Sequence, residues 1–175
     1  MDSEGLTLSR VIGIVGWKNS GKTTLVEALL RELTDRGLRV STIKHAHHHF
    51  DVDIPGKDSW RHREAGAQEV LVASSQRWAL MHETGGAHDP NLLDMLPRLS
   101  PCDLVLVEGF KHGPHRKIEV RRAASGGTLL ADQDETILAV ATDDPVLAGR
   151  HRCLSLANIA AIADFIWNEM KPCAS

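Results

Sequence analysis

The sequence predicts an α/β protein, a mainly parallel sheet flanked by helices on both faces. Three observations carry that expectation. Short apolar runs alternate with stretches whose apolar residues recur at helical spacing. The runs Val11–Val15 and Leu104–Val107 are apolar almost throughout rather than alternating, as strands covered on both sides of a parallel sheet are. The first run passes through a short glycine-containing loop straight into a helical pattern, as in a strand–loop–helix unit.

Taken in order, Val11–Val15 is the first strand, and Leu25, Val26, Leu29, Leu30 and Leu33 mark the first helix, with Gly37 as its stop. Leu38–Ile43 reads as the second strand. Asp58–Ala65 reads as a short helix that Asp58 or Ser59 can cap. Val70–Ala73 and Trp78–Met81 are two further strands around the polar turn Ser74–Arg77. Asn91–Leu99 is a weak helix interrupted by Pro97, and Leu104–Val107 then ends in Glu108-Gly109. Ile118–Val120 and Ile137–Ala141 are strand candidates, and Ala157–Met170 is the C-terminal helix.

A length of 175 residues fits a single domain spanning 1–175 that folds without disulfide or metal staples. The net charge of −3 provides no global field for nucleic acid, so no nucleic-acid partner is expected. No apolar run approaches the roughly 20 residues that cross a bilayer. The start MDSEGLTLSR lacks the apolar core of a signal peptide, which points to a cytoplasmic protein without membrane attachment. Cys102, Cys153 and Cys173 are widely spaced with no CxxC, as reduced packing thiols are.

The segment Gly16-Trp17-Lys18-Asn19-Ser20-Gly21-Lys22-Thr23-Thr24 matches G-x-x-x-x-G-K-[ST] between a strand and a helix. Each position has a chemical reason. Gly16 and Gly21 permit backbone angles that turn successive N–H groups inward around an anion. The helix N-terminus adds partial positive charge. Lys22 is placed to reach the β- and γ-phosphates and the Thr23 hydroxyl to ligate Mg²⁺. The segment therefore predicts a P-loop NTPase-like site for a nucleoside triphosphate with Mg²⁺.

An acidic residue at the end of a neighbouring strand completes such a site. Glu108 is the natural candidate, and Asp53, after the second strand, is another; each is otherwise a loop carboxylate. His45, His47, His48 and His49 crowd five positions, which suits a transition metal, an anion or an oligomer contact. Consecutive histidines in an extended loop point to opposite sides, so they cannot all ligate one ion. Lys57, Arg61, His62 and Arg63 offer positive charge to a phosphorylated ligand, or else form a solvated helix face. Lys111, His112, His115, Arg116 and Lys117 form a possible second anion patch. Asp143 or Asp144, after Ile137–Ala141, can accept hydrogen bonds from a guanine edge, but N-K-x-D is absent and a turn before Pro145 accounts for them better.

Four segments together resemble the MobB family, the molybdopterin-guanine dinucleotide biosynthesis adapter proteins. They are GWKNSGKTTL at Gly16–Leu25, KHAHHHFDVDIPGKDSWRHREAGA at Lys44–Ala67, DLVLVEGFK at Asp103–Lys111 and KIEVRR at Lys117–Arg122. The second is the most specific of the four. The resemblance implies a GTP-binding homodimer with at most slow GTPase activity that assists the guanylyltransferase attaching GMP to molybdopterin. It implies that Gly16, Lys18–Thr23 and Thr24 form the phosphate site, with Asp53 and Glu108 near Mg²⁺. It also implies that the segment holding His45, His48, Lys57, Arg61 and Arg63 lines a cleft towards the pterin or the partner enzyme. One departure stands out. Dimerising relatives of this P-loop class often carry a lysine five positions before the loop lysine, where this chain has Trp17. A metallochaperone GTPase, suggested by the histidines, and a small-molecule kinase with Asp53 or Glu108 as base are the alternatives.

Overall fold

A computed structural model describes residues 8–46, 50–86 and 89–170. Along the chain run β1 (Val11–Val15), α1 (Lys22–Asp35), β2 (Val40–Lys44), α2 (Asp58–Glu64), β3 (Glu69–Ala73) and β4 (Trp78–His82). They are followed by α3 (Leu92–Met95), β5 (Leu104–Glu108), β6 (Arg116–Arg121), β7 (Ile137–Thr142), β8 (Cys153–Ser155) and α4 (Ile159–Met170). The chain divides into two compact units, one made of residues up to His45 together with those from Leu92 onward, the other of Ala46–Asn91.

In the first unit six strands form one sheet in the order β2-β5-β1-β6-β7-β8, every pair parallel. The unbroken apolar runs of the sequence are explained by this position: β1 is central and all five of its residues are buried. Ile12 and Ile14 point to the face where Leu25, Leu29 and Leu33 of α1 and Ile162 and Ile166 of α4 pack. Val11, Val105 and Val107 point the other way, against Leu92 and Leu96, so helical segments cover both faces. The chain leaves β1 towards β2 and leaves β6 towards β7, on the opposite side. The carboxyl end of β1 is therefore a topological switch point, where open α/β sheets take their ligands.

Several element ends differ from expectation for local reasons. Gly37 does stop α1, at φ 84°, and the Leu38 N–H turns back to the Leu33 carbonyl, so β2 begins at Val40 rather than at Leu38. The Asn91–Leu99 segment is one α-turn, Leu92–Met95, that tightens into a 3-10 turn at Pro97. Neither Asp58 nor Ser59 caps α2: Lys57 is the N-cap, and the Ser59 hydroxyl donates to Asp53 Oδ1 instead. Asn158 caps α4 by accepting the Ala161 N–H, which moves its start to Ile159.

The connection from β5 to β6 crosses β1 without a helix. It fits because β1 carries a glycine there: a Cβ on Gly13 would lie 2.5 Å from His115 Nε2 and 3.0 Å from Lys117 Cγ. In the second unit β3 and β4 pair antiparallel as a two-stranded hairpin, closed by Ser74, whose hydroxyl accepts the Gln76 and Arg77 N–H groups. The two strands expected at Val70–Ala73 and Trp78–Met81 thus exist, in a sheet of their own.

Candidate functional site

The loop between β1 and α1 has the backbone of an anion cradle. Gly16 (φ 147°), Asn19 (φ 63°) and Gly21 (φ 95°) all take angles that β-carbons disfavour, and Gly21 stands as N-cap of α1. Gly16 also has no room for a side chain, since its Cβ would lie 2.7 Å from Ser20 Oγ. Ser20 is fully buried under the loop. Lys18 and Thr24 are exposed, while Lys22 is half-buried and donates to the Trp17 carbonyl at 2.7 Å. Burial pushes the Lys22 ammonium below the ordinary lysine value; Lys111 and Lys44 push the same way, and Glu108 opposes.

Glu108 closes β5, beside β1, and meets the loop. The Thr23 hydroxyl donates to Glu108 Oε1 at 2.8 Å, and Lys44 Nζ lies 3.7 Å from Oε2. The hydroxyl and the carboxylate that such sites direct at Mg²⁺ therefore stand side by side. With positive-φ backbone at Gly16, Asn19 and Gly21 and a lysine already at the loop, these residues fit a nucleoside triphosphate and its metal.

The family model of MobB, described as Molybdopterin guanine dinucleotide synthesis protein B, matches residues 11–143, from β1 to just beyond β7. The chain belongs to the MobB family. It is 47% identical over 161 residues to the molybdopterin-guanine dinucleotide biosynthesis adapter protein of Haemophilus influenzae, covering 90% of this chain and 88% of that one. Its identity to the Escherichia coli adapter protein is 41% over 172 residues, covering 95% and 97%. A solved structure of molybdopterin-guanine biosynthesis protein B superposes with a TM-score of 0.72 at 29% identity, covering 93% of this chain and 99% of that one.

In this MobB chain the carboxylates after β7 divide their labour. Asp144 Oδ1 accepts the Val146 N–H and caps the turn Pro145–Ala148. Asp143 is exposed and held by Arg122, whose Nη1 donates to it at 3.2 Å. Arg122 reaches back to the phosphate loop, its Nε lying 3.2 Å from where a Cβ on Gly21 would be. Of the two candidates Asp144 is committed to that turn and Asp143 to Arg122. Arg122 was not singled out from sequence; its only signal is its place in the KIEVRR segment.

The second anion patch is a correction. His115 and Lys117 are buried, Lys117 Nζ pairing with Asp134 at 3.1 Å, and the Arg116 guanidinium donates to the Glu169 carbonyl. Only Lys111 and His112 remain in an open connection. Burial, reinforced by the Lys117 charge, pushes the His115 imidazolium down to about 4, with Asp134 opposing.

His45 sits beside the site, its ring 4.6 Å from Phe110 at 31°. His47, His48 and His49 lie outside the described residues. Among the described residues no group of three or more His, Cys, Asp or Glu side chains is placed to hold a metal. Asp53, Lys57, Arg61 and Arg63 all belong to the second unit. There Arg63 donates to Asp51 and Glu83 and lies 3.4 Å from Asp53, so it presents no free guanidinium. The Asp53 carboxylate, expected at Mg²⁺, is engaged within its own unit by Ser59 and Arg63. Lys57 and Arg61 are exposed, and Lys57 shares with His62 a hollow of about 580 Å³ along β3.

Proposed function

We propose that this MobB-family chain binds GTP with Mg²⁺ in the β1–α1 loop and assists the guanylyltransferase that attaches GMP to molybdopterin. The observation that carries the nucleotide site is the 2.8 Å bond between Thr23 and Glu108, which joins the loop to the neighbouring strand where Mg²⁺ would be held. Bound there, Mg²⁺ would neutralise charge on the phosphates, while Lys22 and the loop N–H groups bind and orient them. Lys18, Asn19, Ser20 and Thr24 complete the loop around them. Asp143, carried on Arg122, is assigned to the guanine edge. Asp53, engaged by Ser59 and Arg63, is assigned to the architecture of its own unit.

Hydrolysis by this chain is slow. Trp17 occupies a position where dimerising relatives of the class often carry a lysine, so the side chain at that position brings no charge to the reaction. The accessory role follows from the names borne by the relatives, which are adapter proteins of molybdopterin-guanine dinucleotide biosynthesis. Molybdopterin and the guanylyltransferase are accordingly the partners, and the exposed Lys57 and Arg61 of the second unit are offered as basic contacts. A homodimer is supported by the hairpin, which leaves Leu71 62% and Trp78 64% exposed, more apolar surface than a lone hairpin in water favours. No described helix is long and apolar enough to cross a membrane, and the cytoplasm is the assigned compartment.

Calorimetric titration with Mg·GTP and Mg·ATP at matched salt tests the core of this. GTP binding at least tenfold tighter than ATP is the expected result. Equal affinity, or preference for ATP, overturns the GTP assignment and brings a kinase forward.

A further inference from the structure

Two lysines meet at Trp17. Lys22 Nζ donates to its carbonyl at 2.7 Å, and Lys111 Nζ stands 4.6 Å from its ring centroid, within cation–π range. The ring is a fixed platform. Its Nε1 donates to the Thr128 carbonyl at 2.7 Å, and a Cβ on Gly127 would lie 2.5 Å from Nε1. Arg121 in turn binds the carbonyls of Gly127 and Thr128 at 3.0 and 3.2 Å. Further along, the buried Glu119 accepts the Ala131 N–H at 2.9 Å and pins the far end of that loop.

Lys111 reaches the platform through an unusual backbone. Immediately after Glu108, Gly109 (φ 98°) and Phe110 (φ 50°) are both left-handed. Phe110 carries a Cβ, and such a conformation costs about 1–3 kcal/mol unless its surroundings hold it. Here they do: its ring stacks on His45, and its carbonyl accepts the Gly113 N–H at 3.1 Å. A glycine and a strained Phe110, kept in place by neighbouring contacts, turn the chain so that the next residue sits on the phosphate loop.

We propose that Lys111 is a second cation for the terminal phosphate, delivered by its own chain onto Trp17, and that it makes the site prefer a nucleoside triphosphate over a diphosphate. Glu108 places the carboxyl end of β5 on the metal side of the loop, where the terminal phosphate of a P-loop ligand lies. Lys111 leaves from that end. The charges of Lys44 and Lys111 both act on Lys22, against the single carboxylate of Glu108. Three cations around one anion call for a ligand with several negative charges, and the γ-phosphate supplies the charge that a diphosphate lacks. The inference rests on the nucleotide site proposed above and adds the determinant of its phosphate count.

The test measures affinity of the full chain for Mg²⁺ with GDP and with a non-hydrolysable GTP analogue. Lys111→Met is expected to weaken the triphosphate analogue about tenfold, the size of one charge-assisted hydrogen bond, and to leave GDP within about twofold. Lys111→Arg is expected to restore most of the loss, and Trp17→Leu, which removes the platform, to reproduce it. Thermal unfolding of each variant checks that the fold is intact. Equal loss for both nucleotides, or loss for neither, overturns the role of Lys111. If the wild type instead prefers adenine nucleotides, the GTP reading fails while the same comparison with ADP and an ATP analogue still decides Lys111. A wild type that binds no nucleotide overturns both.

Discussion

His115 makes stability depend on pH in a way that can be worked out from its surroundings. The imidazole is 1% exposed, wedged against Gly13, and neither ring nitrogen has a hydrogen-bond partner. Burial and the neighbouring Lys117 charge lower it from 6.5 to about 4. The folded chain therefore holds the ring neutral at pH values where the unfolded chain binds a proton. Because the unfolded state binds more protons between these two values, stability is full above pH 6.5 and is lost as pH falls towards 4. For a single group with those two values, the loss between pH 7 and pH 5 is about 2 kcal/mol. Carboxylates such as Asp103 and Asp134, which lie below their ordinary range, stay ionised over this interval and add little. Urea unfolding at pH 7, 6 and 5 measures the loss, and His115→Gln isolates it, because the remaining histidines are common to both proteins. The variant is expected to lose about 2 kcal/mol less than the wild type over the same interval. Parallel pH slopes in the two proteins, or ring-proton NMR signals of His115 that titrate near the free value, would refute the reasoning.

Three further outcomes concern the nucleotide site. Lys22→Ala is expected to reduce affinity for Mg·GTP more than tenfold by calorimetry with little change in thermal unfolding, because Lys22 is only half-buried; normal affinity would discard the phosphate-loop assignment. Glu108→Gln keeps an oxygen to accept from Thr23 but removes the charge, so it is expected to lower GTP hydrolysis more than GTP binding; equal losses would mark Glu108 as structural. Asp143→Asn exchanges an acceptor for a donor, so GTP affinity should fall by about tenfold while xanthosine triphosphate, whose base offers a carbonyl there, gains. Unchanged preference between those nucleotides would remove Asp143 from base recognition.

The parts of this site that were legible in the sequence are those fixed by neighbours in the chain. Gly16 to Thr24 follow an apolar strand and start a helix, so the cradle can be read without knowing anything distant. Glu108 was legible for the same reason, as the charged residue that ends a buried apolar strand. What escaped depends on residues far apart. Lys117 and His115 look like surface cations in a glycine–proline loop, and only the pairing of β1 with β6, which sets Lys117 opposite Gly13, shows that they are buried. The β3–β4 hairpin has the composition of any strand pair, and nothing local says that it forms a sheet of its own. Ser59 fits a helix cap by type, but its hydroxyl is claimed by Asp53, six residues earlier.

Gly13 ties these distant facts to the site. A glycine inside a buried strand costs roughly 0.5–1 kcal/mol against alanine, and it persists where another segment must come close. The segment that comes close is the one that leaves Glu108, turns at Gly109 and Phe110, and carries Lys111 before laying His115 on the strand. The β1 glycine and the left-handed turn after Glu108 are thus two halves of one device: the first anchors the connection where it rejoins the sheet, and the second aims its lysine at the phosphate loop. It follows that His115→Ala, which empties the anchor, should loosen the seat of Lys111 and weaken the triphosphate analogue more than GDP; equal affinities in the variant and the wild type would separate the anchor from the site.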